Sequence, residues 1–150
     1  MESELLSKLR TKDDLDILRG ELDLLENALY QTNTLYNDVI KNDIRSWVSE
    51  IILREGKEDL KGYIKKIKAD LLKLPVLSAS INFEPSNSFI EKMSIWLKKN
   101  IDEKIVVDLL MNTASLGGIQ LSYRGKYLDL SLRKKISAEL SNLRLNTSNK

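Results

Sequence analysis

Between Thr11 and Leu29 the apolar positions fall at Leu15, Leu18, Leu22, Leu25 and Leu29, in alternating steps of three and four residues. That is the a and d spacing of a heptad seam, which predicts a helix and requires a second helix facing it. Thr11 followed by Asp14 reads as a capping box at the helix start, the Thr oxygen taking an orphan amide and the acid complementing the N-terminal dipole. Gly20 lies inside the seam and weakens a helix by about 1 kcal/mol relative to Ala, a loss that five leucines outweigh. QTNT at 31–34 is a candidate interruption, because Thr and Asn bond their own backbone and favour caps; the pattern leaves open whether the helix breaks there. Tyr36, Val39 or Ile40, Ile44, Trp47 with Val48, and Ile51 with Ile52 carry an apolar stripe on to about residue 54, and Gly56 supplies a stop. An unbroken helix from 12 to 54 would be a rod roughly 65 Å long. A further helix is predicted over about 57–73, with Leu60, Ile64, Ile67 and Leu71 on one face, a solvated face of lysines opposite, and Pro75 ending it.

Beyond Pro75 the period changes. Leu77, Ala79, Ile81 and Phe83 alternate with Ser78, Ser80 and Asn82, the pattern of a half-buried strand. Residues 86–100 return to helical spacing, with Phe89 or Ile90, Met93, and Trp96 with Leu97 facing one way. A second strand is predicted over 103–112 and a third through Ile119, Leu121 and Tyr123; Gly125 with Lys126 makes a tight turn into a short fourth at Tyr127 and Leu128. Leu132, Ile136 and Leu140 mark a final helix, and the tail LNTSNK reads as frayed. The fold class is therefore α+β: a helical hairpin or small bundle over 1–75, a β-α-β-β-β-α domain over 76–143, and a tail over 144–150. Division at Pro75 implies that a fragment beginning near residues 74–78 closes its own core.

A length of 150 residues, 42% of them hydrophobic, is enough for one ordinary core or two small ones. The net charge of +2 produces no overall field toward nucleic acid or anionic lipid, so any partner must be recognised by local surface. No apolar run reaches the roughly 20 residues of a membrane span, and MESELLSKLRTKDD lacks the order of a signal peptide; a cytoplasmic location is expected. The absence of Cys and His removes disulfides, thiol nucleophiles, Ser-His-Asp triads, His bases and the common zinc sites. No catalytic residue, metal or cofactor is expected. Gly117 and Gly118 lie between two strands, and neither a P-loop nor a dinucleotide fingerprint is present; the pair reads as a positive-φ turn or bulge. Asp129 reads as the N-cap of the final helix, backed by Ser131 and followed by Leu132. Trp47 and Trp96 anchor a core or, if exposed, mark an interface. Leu15, Leu18, Leu22, Leu25 and Leu29 together with Trp47 form the candidate partner-binding set.

The run NTASLGGIQLSYRGKYLDLSLRKKI, 112–136, resembles the C-terminal signature of the ATP synthase delta subunit and oligomycin sensitivity conferral protein family: a glycine pair, an alternating strand, a glycine turn, then D-x-S and a helix with basic and leucine positions. Gly117, Gly118, Gly125, Asp129, Ser131 and Leu132 fall on matching positions, while Asn112 and Thr113 stand where the family has Asp-Pro. With the strand, helix and strand upstream, the resemblance covers about half the chain. It implies a non-catalytic stator subunit of the peripheral stalk, supporting proton-coupled ATP synthesis and hydrogen ion transport by joining the catalytic head to a stalk subunit. Such a subunit is cytoplasmic and peripheral to the inner (cell) membrane through its complex, with no membrane insertion and no cofactor or metal of its own. The family's N-terminal domain is a six-helix bundle that grips the head, and the region before residue 75 reads as too short for it. Two alternatives stand beside this reading. One is a coiled-coil adaptor pairing through Leu15 to Leu29; the other is a nucleic-acid-binding module using Arg124, Lys126, Arg133, Lys134 and Lys135, which lacks the aromatic pairs of an RNA-recognition strand.

Overall fold

In the computed structural model, residues 3–113 and 117–129 are described. The chain runs α1 (Glu4–Lys8), α2 (Lys12–Gln31), α3 (Asn33–Asn42), α4 (Ser46–Glu55), α5 (Leu60–Leu71), β1 (Val76–Ile81), α6 (Asn87–Asn100), β2 (Val106–Met111), β3 (Ile119–Tyr123) and β4 (Lys126–Asp129). The fold is α+β. None of the helices among the described residues is long and apolar enough to cross a membrane.

The capping box at the start of α2 is complete: the Asp14 amide donates to Thr11 Oγ1 at 3.1 Å and the Thr11 amide to Asp14 Oδ2 at 3.2 Å. Behind it the leucine seam turns inward. Leu15, Leu18, Leu22 and Leu25 are buried in one cluster with Val39 and Ile40 of α3, Ile51 and Ile52 of α4, and Ile64, Ile67 and Leu71 of α5. The facing helix that the seam requires is thus supplied by the chain itself.

At QTNT the helix does break. Thr32 leaves the helical region and its side chain accepts the Leu35 amide at 3.2 Å, so the chain restarts as α3. A second break, at residues 43–45, interrupts the stripe that had predicted continuation to residue 54. Here no side chain of the turn caps α4. Instead Glu21, only 5% exposed on α2, takes the Arg45 amide at 2.9 Å and both ends of the guanidinium fork at 2.9 and 2.8 Å. The 65 Å rod is thereby folded into a packed set of short helices. Gly56 ends α4 as expected, but at φ −87; its place is fixed by space, since a Cβ there would lie 2.8 Å from the Ile52 carbonyl oxygen. The next helix starts at Leu60 rather than 57, because Asp59 caps it by accepting the Gly62 amide. The short α1, which periodicity did not predict, buries Leu5 and is followed by buried Leu9.

The sheet has strand order β2-β1-β3-β4, with β1 and β2 parallel across the α6 crossover and the remaining pairs antiparallel. Registers Leu77↔Val107, Ala79↔Leu121 and Leu121↔Leu128 put these residues on one face. Leu97 of α6 packs there, with Met93 alongside. Two expectations are corrected. Phe83 lies beyond β1 and meets Phe89 edge-on at 5.1 Å, and Trp96 is 51% exposed, Ser94 and Leu97 being the buried positions of α6. Likewise β2 begins at Val106, since Asp102 organises the preceding turn by accepting the Lys104 amide at 2.9 Å.

Neighbouring residues of β2 serve different cores: Val106 belongs to the helical cluster and Val107 to the cluster between sheet and α6. The outer edge of β2 is met by the α1–α2 connection, where the Val107 amide donates to the Arg10 carbonyl at 3.0 Å and Thr11 bridges in parallel. Lys12 adds an ion pair to Asp108 at 3.6 Å.

Candidate functional site

Within the stretch that carries the family-like pattern, the described residues 119–129 fold as a β-hairpin. Tyr123 pairs with Lys126, leaving Arg124 and Gly125 as a two-residue loop, with φ of 48 and 75 respectively. Two successive positive φ values are those of a type I′ turn, whose twist matches that of the strands it joins. The turn is therefore Arg124-Gly125, and Lys126, assigned to it from sequence, is the first residue of β4. Nothing lies within 4 Å of a Cβ built on Gly125, so backbone conformation alone selects glycine there. The Arg124 guanidinium lies over the Tyr123 ring, 5.1 Å from its centroid. Gly117 and Gly118, immediately before β3, have φ of 92 and 88, a region in which side chains are strongly disfavoured.

Asp129 closes β4 opposite Gln120. Ser131, Leu132, the basic residues Arg133, Lys134 and Lys135, the predicted final helix and the tail lie outside the described residues, and with them the capping role assigned to Asp129 and Ser131.

Beside this hairpin an apolar groove of about 500 Å³ opens between the C-terminal end of α6 and strands β3 and β4. Trp96 and Ile101 line one side, and Leu121, Tyr123 and Leu128 line the other. Trp96, Ile101, Tyr127 and Leu128 are all more than 40% exposed, so large apolar side chains cluster at a surface. Lys126 and Asn100 provide polar groups among them. The groove offers burial and shape, chemistry suited to binding a helix or strand of another chain.

The candidate partner set is not brought together at this groove. Leu15, Leu18, Leu22 and Leu25 are at most 4% exposed and Leu29 packs partly buried against the same core, so the seam is the molecule's interior and offers no partner surface. Trp47 is half-buried at a separate place, with the Arg45 guanidinium 4.9 Å and the Lys8 ammonium 5.6 Å from its ring. Ile101 was not named from sequence and Leu128 was read only as part of the short fourth strand; no local pattern marks either as lining a groove.

Among the titratable groups, Glu55 joins three elements. Burial acts to raise its pKa, but donations from Tyr63 Oη at 2.6 Å, Ser3 Oγ at 2.7 Å and the Glu4 amide, with the charge of Arg54, hold it below the ordinary carboxylate range. Burial and the neighbouring Glu55 carboxylate push the Tyr63 phenol up in turn. Among the described residues no group of three or more Asp and Glu side chains is placed to hold a metal ion. No family model matches the chain, and no curated protein matches it.

Proposed function

We propose that the chain is a non-catalytic stator subunit of a rotary ATP synthase, tying the catalytic head to the peripheral stalk so that the head stays fixed while the rotor turns. The observation that carries this reading is the exposed apolar groove beside the glycine hairpin, where the family-like residues Gly117, Gly118 and Gly125 shape the strand that forms its wall. Burying Trp96, Ile101 and Leu128 against an amphipathic stalk helix would gain about 25 cal/mol per Å² of apolar surface removed from water. Five helices precede Pro75 among the described residues and share one core, giving the head a rigid body to grip. The subunit would then be peripheral to the membrane through its complex. The adaptor reading loses support because its leucine seam is internal.

The test is paired. Stalk subunit should be captured by the chain but at least about tenfold less well by Ile101→Glu or Leu128→Glu, each of which sets a charge in the groove at a surface position. In reconstituted membranes, omitting the chain should abolish proton-driven ATP synthesis while ATP hydrolysis by the detached head continues. Undiminished synthesis without the chain would overturn the stator reading.

A further inference from the structure

Another flank of α6 faces a different opening. Glu91, Ser94, Ile95 and Lys98, at steps of three and four residues, look into a cleft of about 570 Å³ whose far walls are the α1–α2 connection and the start of α4. Four cations border it: Lys8, Arg10, Arg45 and Lys98. Their partners differ. Arg45 is fully engaged by buried Glu21. Lys8 shares the Glu4 carboxylate with Arg54. Among the described residues the Arg10 guanidinium meets only Glu91, at a long 3.5 Å with both side chains about half exposed. Lys98 has no carboxylate within ion-pair distance among the described residues; its ammonium donates to the main-chain carbonyls of Ser7 and Leu9, two acceptors for three hydrogens. Of the acids bordering the cleft, Asp14 is already occupied by the amides of Arg10 and Thr11, which leaves Glu91 alone against Arg10 and Lys98.

A partly desolvated cation with no counter-ion is costly, and an anion that reaches it relieves the cost. Burial, with Arg10 next in effect, holds the Lys98 ammonium below the ordinary lysine range, only partly offset by Asp14, which is the cost that an anion beside it would relieve. We propose that the cleft binds a small soluble organic phosphate. Arg10 grips the dianion by its fork, the remaining hydrogen of Lys98 donates to it, and Trp47 walls the carbon skeleton. The cavity is of the size that small ligands occupy, and a forked guanidinium beside a point-charge ammonium is the pairing that phosphate oxygens accept well. Because the cleft is formed by α1–α2 on one side and α6 on the other, its ligand would also brace the helical half against the sheet. This site does not depend on the stator reading.

The experiment uses the full chain with Trp96→Phe, so that fluorescence reports Trp47, and titrates inorganic pyrophosphate and glycerol phosphate at low salt against potassium acetate. Saturable quenching and a rise in Tm are expected with both phosphates and not with acetate. Arg10→Gln should weaken the phosphates about tenfold, the loss of one charge-assisted contact, whereas Lys61→Gln on α5 should change nothing. Arg10 is exposed, so the variant should keep the parent circular dichroism; if it does not, Lys8→Gln, whose removal lowers the positive potential of the cleft, serves as the second variant with a smaller loss. Absence of saturation at tens of millimolar, equal binding by the cleft variants and the parent, or equal response to acetate overturns the proposal.

Discussion

Glu21 and Arg45 show how one side chain can redirect a chain. A carboxylate 5% exposed accepts an amide and a guanidinium fork from a turn 24 positions away, and that turn is what ends the helical stripe at 43–45. No local pattern announces it: Glu21 reads as an ordinary charged residue beside a leucine seam, and the partner lies in another element. Arg45→Ala would leave the carboxylate buried without its cation and should cost about 2–3 kcal/mol in urea unfolding. Adding Glu21→Met should recover part of that loss, because no charge is then left inside; a double variant as unstable as the single would refute this account. Glu55 sets a pH response. Its folded pKa lies below the ordinary 4.5, so the folded state holds the carboxylate better than the unfolded chain does. The stabilisation is present above about pH 4.5 and fades as acid protonates the group through its lower folded value. Glu55→Gln should therefore flatten the acid limb of a stability-against-pH curve and lower the plateau at pH 7.

At the scale of elements, what was legible followed from local chemistry. The capping box at Thr11, the alternation of Leu77, Ala79 and Ile81 and the hairpin glycine stand in the sequence because each is decided within four residues, whereas the break at Thr32 was left open by the pattern and is settled by the Thr32 cap. The five-residue α1 is too short for periodicity to declare, and the rotation of α6 that turns Trp96 outward depends on where the sheet lies beneath it. The groove was illegible for the same reason: it is made where α6 ends and β3–β4 continue, a juxtaposition that no run of residues encodes. The hairpin allows a clean measurement. Gly125→Ala meets no atom within 4 Å yet must hold φ near 75, so its cost is conformational alone, about 1 kcal/mol. A thermal scan showing unchanged Tm would mean the turn relaxes to another type.

For the whole molecule, the sequence suggested parting at Pro75, and there are indeed two clusters of buried side chains. Yet Val106 and Val107 place β2 in both, and the edge of β2 is paired with Arg10 and Thr11. Such sharing should couple the halves. Urea transitions of the Trp47→Phe chain followed by Trp96 fluorescence, which then reports the sheet side, and by far-UV circular dichroism, dominated by the helices, are expected to coincide. Separated midpoints would restore the division into independent units.

The pairing of Arg10 with Val107 also orders events in time. The segment around Arg10 must wait for a strand almost a hundred residues further along the chain before this backbone bond can form, and closing so long a loop is the slow kind of contact. The helical cluster can collapse while synthesis continues, but the connection between α1 and α2 stays without its strand partner until β2 emerges. Docking of the α1–α2 connection onto the sheet is therefore a late step, one that follows the collapse of the helices on either side of it.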